Sequence, residues 1–348
     1  MYFMSSRSDK GFRYASTDPL SGKWELVPET VKTWDPALFV DDDNRLYYYW
    51  GCSPGAPLFG TELDRDFQPV GELKRFVEAD SLAHGWEKRG DHNELSGPAW
   101  VEGPWMTKHK GKYYLQYSAP GTEYTSYADG VYTSENPLGP FKYELYSPFS
   151  YKPGGFIRGA GHGATFEDKY GNHWRVVTMV VAVHHGFERR LGIIPAGFDE
   201  DGVFYTQTLL GDFPVVVPDR KVDPRTETAT GWMLLNYGKK VTASSSFPGY
   251  EPDRAIDENV KTWWTARSAS KEEWLMIDMG QEYRINAFQV NFAEYDANVF
   301  GRGRELYHQY VIEGSENGDT WEMLVNKSQN REDVPHDYVP LDSPVKMR

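Results

Sequence analysis

The chain has 348 residues, room for about two domains at roughly 150 residues each. Its 51 acidic and 37 basic residues leave a net charge of −14 with no Lys/Arg-rich run, so the electrostatic footprint of a nucleic-acid binder is missing and nucleic acid is not an expected partner. The longest apolar stretch, about residues 176–183 and broken by Thr178, is far short of the roughly 18 to 20 residues of a helical membrane span, so no span is expected.

Aromatic residues dominate the rest of the composition: 12 Trp, 23 Tyr and 18 Phe stand beside 33 Gly and 22 Pro. Aromatic side chains suit the pleated, half-buried surface of strands, and Gly and Pro punctuate turns, so an all-β class is expected. Flat rings and carboxylates together also suit sugar binding. The single cysteine, Cys52, excludes an intramolecular disulfide and a cysteine-based zinc site. Residues 1–4 (MYFM) read as a strand entered partway, without the pattern of a signal peptide.

In chain order, a polar turn over residues 16–24 comes first, followed by a hairpin that is used three times. The first copy leads with Trp34-Asp35-Pro36, turns through Asp41 to Asn44 and continues as Tyr47-Tyr48-Tyr49-Trp50. The second leads with Glu102-Gly103-Pro104-Trp105, turns at Lys110-Gly111 and continues from Tyr113 to Tyr117. The third leads with Gly161-His162-Gly163, turns near Gly171-Asn172 and continues through Trp174. The leads Asp35, Glu102 and His162 are 67 and 60 positions apart, enough for about four strands each, as in a propeller blade. Residues 134–141 echo residues 16–24, which places both at a blade's outer edge and implies that the chain opens late in a blade, with the first blade missing.

Residues 1–220 form the expected propeller and the polar stretch 221–235 a linker. From residue 236 onward, short alternating strands predict a β-sandwich, with Trp264, Trp274 and Trp321 as core.

Inner strands of propeller blades face a common axis, so their leads converge on one volume although remote in sequence. Converging carboxylates disturb each other's titration and suit acid/base chemistry or cation binding. Trp105 and Phe156 are candidates for a sugar-stacking wall or, equally, for packing between blades. His184 and His185, adjacent on a strand, point to opposite faces, so at most one looks into a pocket.

The Trp34-Asp35-Pro36 lead, the Val101-Glu102-Gly103-Pro104 lead and Gly161-His162-Gly163 resemble, in order and spacing, glycoside hydrolase family 43, whose members are five-bladed β-propellers. The resemblance implies Glu102 as general acid, Asp35 as the carboxylate that tunes its pKa and orients it, and His162 at the axis, where a water or a calcium ion is often held. It implies that Arg189 or Arg190 reaches the substrate. It further implies an inverting mechanism, whose water-activating aspartate would lie ahead of Met1, so the chain is expected to carry acid and modulator without the base.

Residues 236–348 resemble the discoidin or factor 5/8 C-type sandwich (jelly-roll), including family 32 carbohydrate-binding modules, through Ala255-Ile256-Asp257, Thr262-Trp263-Trp264, residues 274–280 and residues 315–321. Relatives place a structural calcium near Asp257 and Thr262, though Glu258 replaces the usual glycine. No organic cofactor is implied. Together the resemblances imply an exo-acting glycosidase of arabinofuranosidase, xylosidase or galactosidase type, acting on oligosaccharide or polysaccharide in an extracellular or periplasmic setting. The alternative is a non-catalytic glycan-binding or adhesive protein.

Overall fold

The computed structural model describes residues 2–4, 13–26, 31, 33–180, 189–212, 215–227, 233–293 and 307–348. His184 and His185 lie outside the described residues. The chain is all-β and divides into two units, one of residues 1–154, 158–180 and 189–231, the other of residues 155–157, 181–188 and 232–348. Among the described residues no helix is long and apolar enough to cross a membrane.

The first unit is built of propeller blades. Strands β1 (Tyr2–Met4), β2 (Arg13–Ala15) and β3 (Glu25–Leu26) form a three-stranded sheet in that order. The next strands are β4 (Ala37–Val40), β5 (Leu46–Trp50), β6 (Cys52–Pro54), β7 (Phe59–Leu63) and β8 (Pro69–Arg75). Of these, β4-β5-β7-β8 make a four-stranded meander, whereas β6 leaves it for the neighbouring blade. That blade contains β9 (Trp100–His109), β10 (Lys112–Ala119), β11 (Ala128–Ser134) and β12 (Lys142–Tyr143) in the order β12-β11-β10-β9-β6. The last meander is β13 (Arg158–Glu167), β14 (His173–Val180), β15 (Arg189–Phe198) and β16 (Phe204–Thr206).

Strand alternation explains the aromatic runs. Successive side chains point to opposite faces, and both faces of an inner blade are covered, so a strand there has no polar side. In β5, Tyr47 and Tyr49 enter one core with Leu58, Val101, Tyr113, Leu115 and Tyr117, whereas Tyr48 and Trp50 enter another with Leu63. In β10, Tyr113, Leu115 and Tyr117 face that first core and Tyr114 turns to the next, with Val131, Phe149, Ala196 and Phe204.

The two echoing segments sit as expected. Residues 16–24 link β2 to the edge strand β3, and residues 134–141 link β11 to the edge strand β12. The hairpin turns are local devices. Lys110 and Gly111 both have positive φ between His109 and Lys112, the backbone of a two-residue hairpin loop whose twist matches its strands. In the first and third hairpins, Asp41 and Asp168 open four-residue turns in which their N–H donates to the carbonyls of Arg45 (3.0 Å) and Asn172 (2.9 Å). The Asp168 carboxylate also accepts from the Trp174 indole N–H (3.0 Å) and from the N–H groups of Tyr170 (2.8 Å) and Asn172 (2.9 Å).

The second unit is a β-sandwich of short antiparallel pairs. Strand β17 (Lys240–Ala243) pairs with β18 (Leu275–Asp278), β19 (Tyr283–Asn291) with β22 (His336–Met347), and β20 (Val311–Gly314) with β21 (Glu322–Asn326). The expected tryptophan core needs correction: Trp274 and Trp321 are about half exposed (49% and 47%). Trp264 is half-buried, its indole N–H donating to the Ser245 carbonyl at 3.0 Å.

Candidate functional site

The three hairpin leads meet. One ligand atom from each of Asp35, Glu102 and His162 lies within 4.8 Å of the others. Each lead sits where the backbone departs from a regular strand, which re-aims a side chain that would otherwise follow the pleat. Asp35, just before β4, has φ +48°, and His162, within β13, has φ +49°. Glu102, near the start of β9, is followed by Gly103 at φ +56°. The β13–β14 register slips on both sides of Gly161, and the β9–β10 register slips between Gln116 and Ser118, opposite Glu102.

Contacts between blades fix the cluster. The Gly103 N–H donates to Asp35 Oδ2 at 3.3 Å, and His162 Nε2 stands 4.0 Å from the same oxygen. A Cβ built on Gly103 would lie 2.8 Å from His162 Cδ2, so only glycine lets β9 approach the imidazole this closely. Asp35 and Glu102 are buried and His162 is half-buried.

Glu102 is gripped at both oxygens. The Tyr127 hydroxyl donates to Oε1, and the Cys52 thiol donates to Oε2 at 3.1 Å from β6, the strand that pairs Cys52 with Glu102. Burial pushes the Tyr127 hydroxyl well above its usual range, and the Glu102 charge adds to this. Burial, with the charges of Asp35 and Glu102, likewise pushes the Cys52 thiol up. Both groups therefore stay protonated and remain donors to the carboxylate. The Tyr127 hydroxyl also lies 3.4 Å from His162 Nδ1, so a single phenol touches two of the three leads.

The remaining sequence candidates distribute unevenly. The indole N–H of Trp105 donates to the Thr165 carbonyl at 3.0 Å, tying β9 to β13, and its ring packs against the core that holds Tyr113. Arg189, at the start of β15, donates to Thr122 Oγ1 at 2.9 Å, in the β10–β11 loop that leads to Tyr127. Arg190 is exposed and donates to the Arg189 carbonyl at 3.3 Å. Phe156 belongs to the second unit.

The repeat does not mark Tyr127, Cys52 or the buried residues behind His162: Ser118, Asp129 and Arg175. Arg175 carries a signal in the sequence, the one charge in the mostly apolar run from Trp174 to Val180. A charge in a strand buried on both faces requires a partner.

Calcium takes six to eight oxygens at about 2.3–2.6 Å, from side chains, backbone carbonyls and waters together. The lead cluster offers two carboxylates and an imidazole, and Glu102 is already held at both oxygens. In the second unit, Asp257 accepts from the Thr262 hydroxyl at 2.6 Å and from the Asn259 N–H at 3.0 Å, so its oxygens are occupied by their own loop.

The model of glycosyl hydrolases family 43 matches residues 2–204, and that of the F5/8 type C domain matches residues 240–348. A beta-xylosidase of Xylanibacter ruminicola is 30% identical over 146 residues, 36% of this chain and 42% of that protein. An arabinoxylan arabinofuranohydrolase of Paenibacillus polymyxa is 31% identical over 175 residues, 46% of this chain and 26% of that protein. The structure of an endo-1,4-beta-xylanase from Bacteroides thetaiotaomicron shares 25% identity and a TM-score of 0.47, over 56% of this chain and 66% of that one. The matched stretch spans less than half of either curated relative. The chain belongs to glycosyl hydrolases family 43, and an F5/8 type C domain follows its propeller.

Proposed function

We propose that the protein is an exo-acting, inverting glycoside hydrolase that removes terminal arabinofuranosyl, xylosyl or galactosyl units from oligo- and polysaccharides in an extracellular or periplasmic setting. The observation that carries this reading is the buried meeting of Asp35 and Glu102, delivered by equivalent strands of neighbouring blades in a family 43 chain. Glu102 is the general acid that protonates the departing glycosidic oxygen. Tyr127 anchors its Oε1, whereas Oε2 meets, among the described residues, the weak thiol donor of Cys52, which makes Oε2 the oxygen that delivers the proton. Asp35 is the adjoining carboxylate that modulates and orients the acid.

Asp35 is not the water-activating base in this scheme. An inverting pair stands about 6.5 to 9.5 Å apart so that a water fits between. Asp35 and Glu102 have oxygens within 4.8 Å, too close for that water. The base is a third carboxylate. Arg189, hydrogen-bonded to the loop that leads to Tyr127, is the residue assigned to substrate contact in this reading. The names of the two curated relatives, a xylosidase and an arabinofuranohydrolase, support pentosides as the first substrates to try.

The test is turnover of 4-nitrophenyl α-L-arabinofuranoside, β-D-xyloside and β-D-galactoside by the protein and by its Glu102→Gln variant. Removal of the acid lowers kcat by about 10²–10⁴-fold. Proton NMR of the first-formed product reads the anomeric outcome. Undiminished turnover by Glu102→Gln removes Glu102 from the acid role. Glycan affinity without turnover of any substrate, measured on the complete reading frame, makes the protein a binding module.

A further inference from the structure

Directly behind His162 lies a buried polar post. Asp129, on β11, accepts through Oδ1 from the Ser118 hydroxyl at 2.5 Å and from the His162 N–H at 2.9 Å, and through Oδ2 from the Gly163 N–H at 3.0 Å. Ser118 Oγ accepts the same His162 N–H at 2.7 Å. Arg175, on β14, pairs with Asp129, donates to Thr165 Oγ1 at 2.7 Å and to Gln116, and lays its guanidinium 4.6 Å from the Phe149 ring centre. Both charged side chains are shut off from solvent, at 0% and 1% exposure.

Packing alone does not account for this post. A buried ion pair is costly to desolvate, and apolar residues of similar volume often serve stability as well or better. What the pair does here is local. His162 holds a left-handed backbone, which non-glycine residues avoid, and its N–H and that of Gly163 converge on one carboxylate as in an anion-binding nest. The anion in this nest is the protein's own Asp129. Gly163 has no space for a side chain, because a Cβ there would meet the Arg175 guanidinium and lie 2.8 Å from Asp129 Oδ2.

The geometry points to Asp129 as a positioning residue: its carboxylate locks the His162–Gly163 backbone and so aims the His162 imidazole at Asp35 and Tyr127, while Arg175 braces Asp129 from behind. This rests on the reading of Asp35 and Glu102 as the reacting pair. Asp129 touches no substrate. It acts through His162, whose ring contacts the Asp35 carboxylate and the phenol that grips Glu102.

The experiment uses the full chain with ring-¹⁵N histidine. Among nine histidines, the His162 signals are those lost in His162→Gln. Two variants are compared with the wild type. Asp129→Asn/Arg175→Met removes both charges together, so neither is left buried alone, and Ser118→Ala removes one acceptor of the His162 N–H while keeping the ion pair. The expected result is displaced or broadened His162 signals in both, with those of His109 and His173 unmoved. Where the wild type turns over substrate, kcat falls about ten- to a hundredfold at nearly constant KM. If the double variant fails to fold, Ser118→Ala decides alone. Unmoved His162 signals in every folded variant overturn the proposal. Because the NMR readout needs no substrate, the spectra decide this proposal independently of whether the glycosidase reading holds.

Discussion

Gly103→Ala tests the convergence of the hairpin leads directly. Gly103 has φ +56°, a region that costs a non-glycine residue about 1–2 kcal/mol. Its added methyl would lie 2.8 Å from His162 Cδ2 and 2.9 Å from Cγ. Relaxed carbon–carbon contacts need roughly 3.5–4.0 Å, so the ring or the strand has to give by about 0.7 Å or more. Overpacking of this kind costs about 1–3 kcal/mol, which brings the total to about 2–5 kcal/mol. Gly111→Ala is the internal control. Gly111 has φ +82° in the β9–β10 turn, but a Cβ there meets nothing within 4 Å, so only the backbone cost remains. Urea denaturation followed by tryptophan fluorescence, with the histidine spectrum as a second reading, separates the two. Gly103→Ala is expected to lose about 1–3 kcal/mol more than Gly111→Ala and to displace the His162 signals. Equal losses with an unmoved imidazole would mean that β9 and β13 do not approach each other as described, and the joint site would fall with that contact.

Other consequences are measured with the same tools. Arg175→Met alone strands a buried carboxylate and should cost about 3–5 kcal/mol, whereas pairing it with Asp129→Asn recovers most of that loss, a coupling that a double-mutant cycle reads as a large interaction energy. Tyr127→Phe removes the hydroxyl that holds Glu102 Oε1, a hydrogen bond of about 0.5–1.5 kcal/mol, and is expected to lower kcat by about two- to tenfold. For Asp41, burial pushes the carboxyl up, but hydrogen bonds from Lys108 (2.5 Å) and Tyr113 (2.5 Å) outweigh this and hold it below the usual range. Its contribution is complete above about pH 4, the unfolded value, and fades as pH falls through the lowered folded value. The destabilisation caused by Asp41→Asn is thus largest at neutral pH and shrinks on acidification. A penalty that grew on acidification would contradict this sign.

The hairpin repeat was legible because it is written in local chemistry. Turn residues set each reversal, and an aromatic run such as Tyr47 to Trp50 has no polar side because blades bury both faces of the strand. Asp35, Glu102 and His162 stood out for the same reason, since they occupy one position of a repeated unit. The tryptophans of the second unit show where such reading stops. Alternation in Trp274 to Asp278 gives the two faces of β18 but not which one is covered, and choosing the opposite face exchanges every buried side chain for its neighbour.

The residues that support the site were harder to see because their partners come from different strands and, in part, different blades. Asp129 and Arg175 are 46 positions apart, and neither spacing nor turn chemistry connects them. What the sequence does record is a conflict: Gln116 lies between Leu115 and Tyr117, and Arg175 between Trp174 and Val176. A single such conflict costs stability, so it persists only where another polar group answers it. Two in inner strands of successive blades are enough to predict a polar contact between the blades, and the structure supplies it in the Arg175–Gln116 hydrogen bond. The lead residues mark where the repeat converges, whereas the buried polar exceptions in the strands behind them locate the groups that contact those leads.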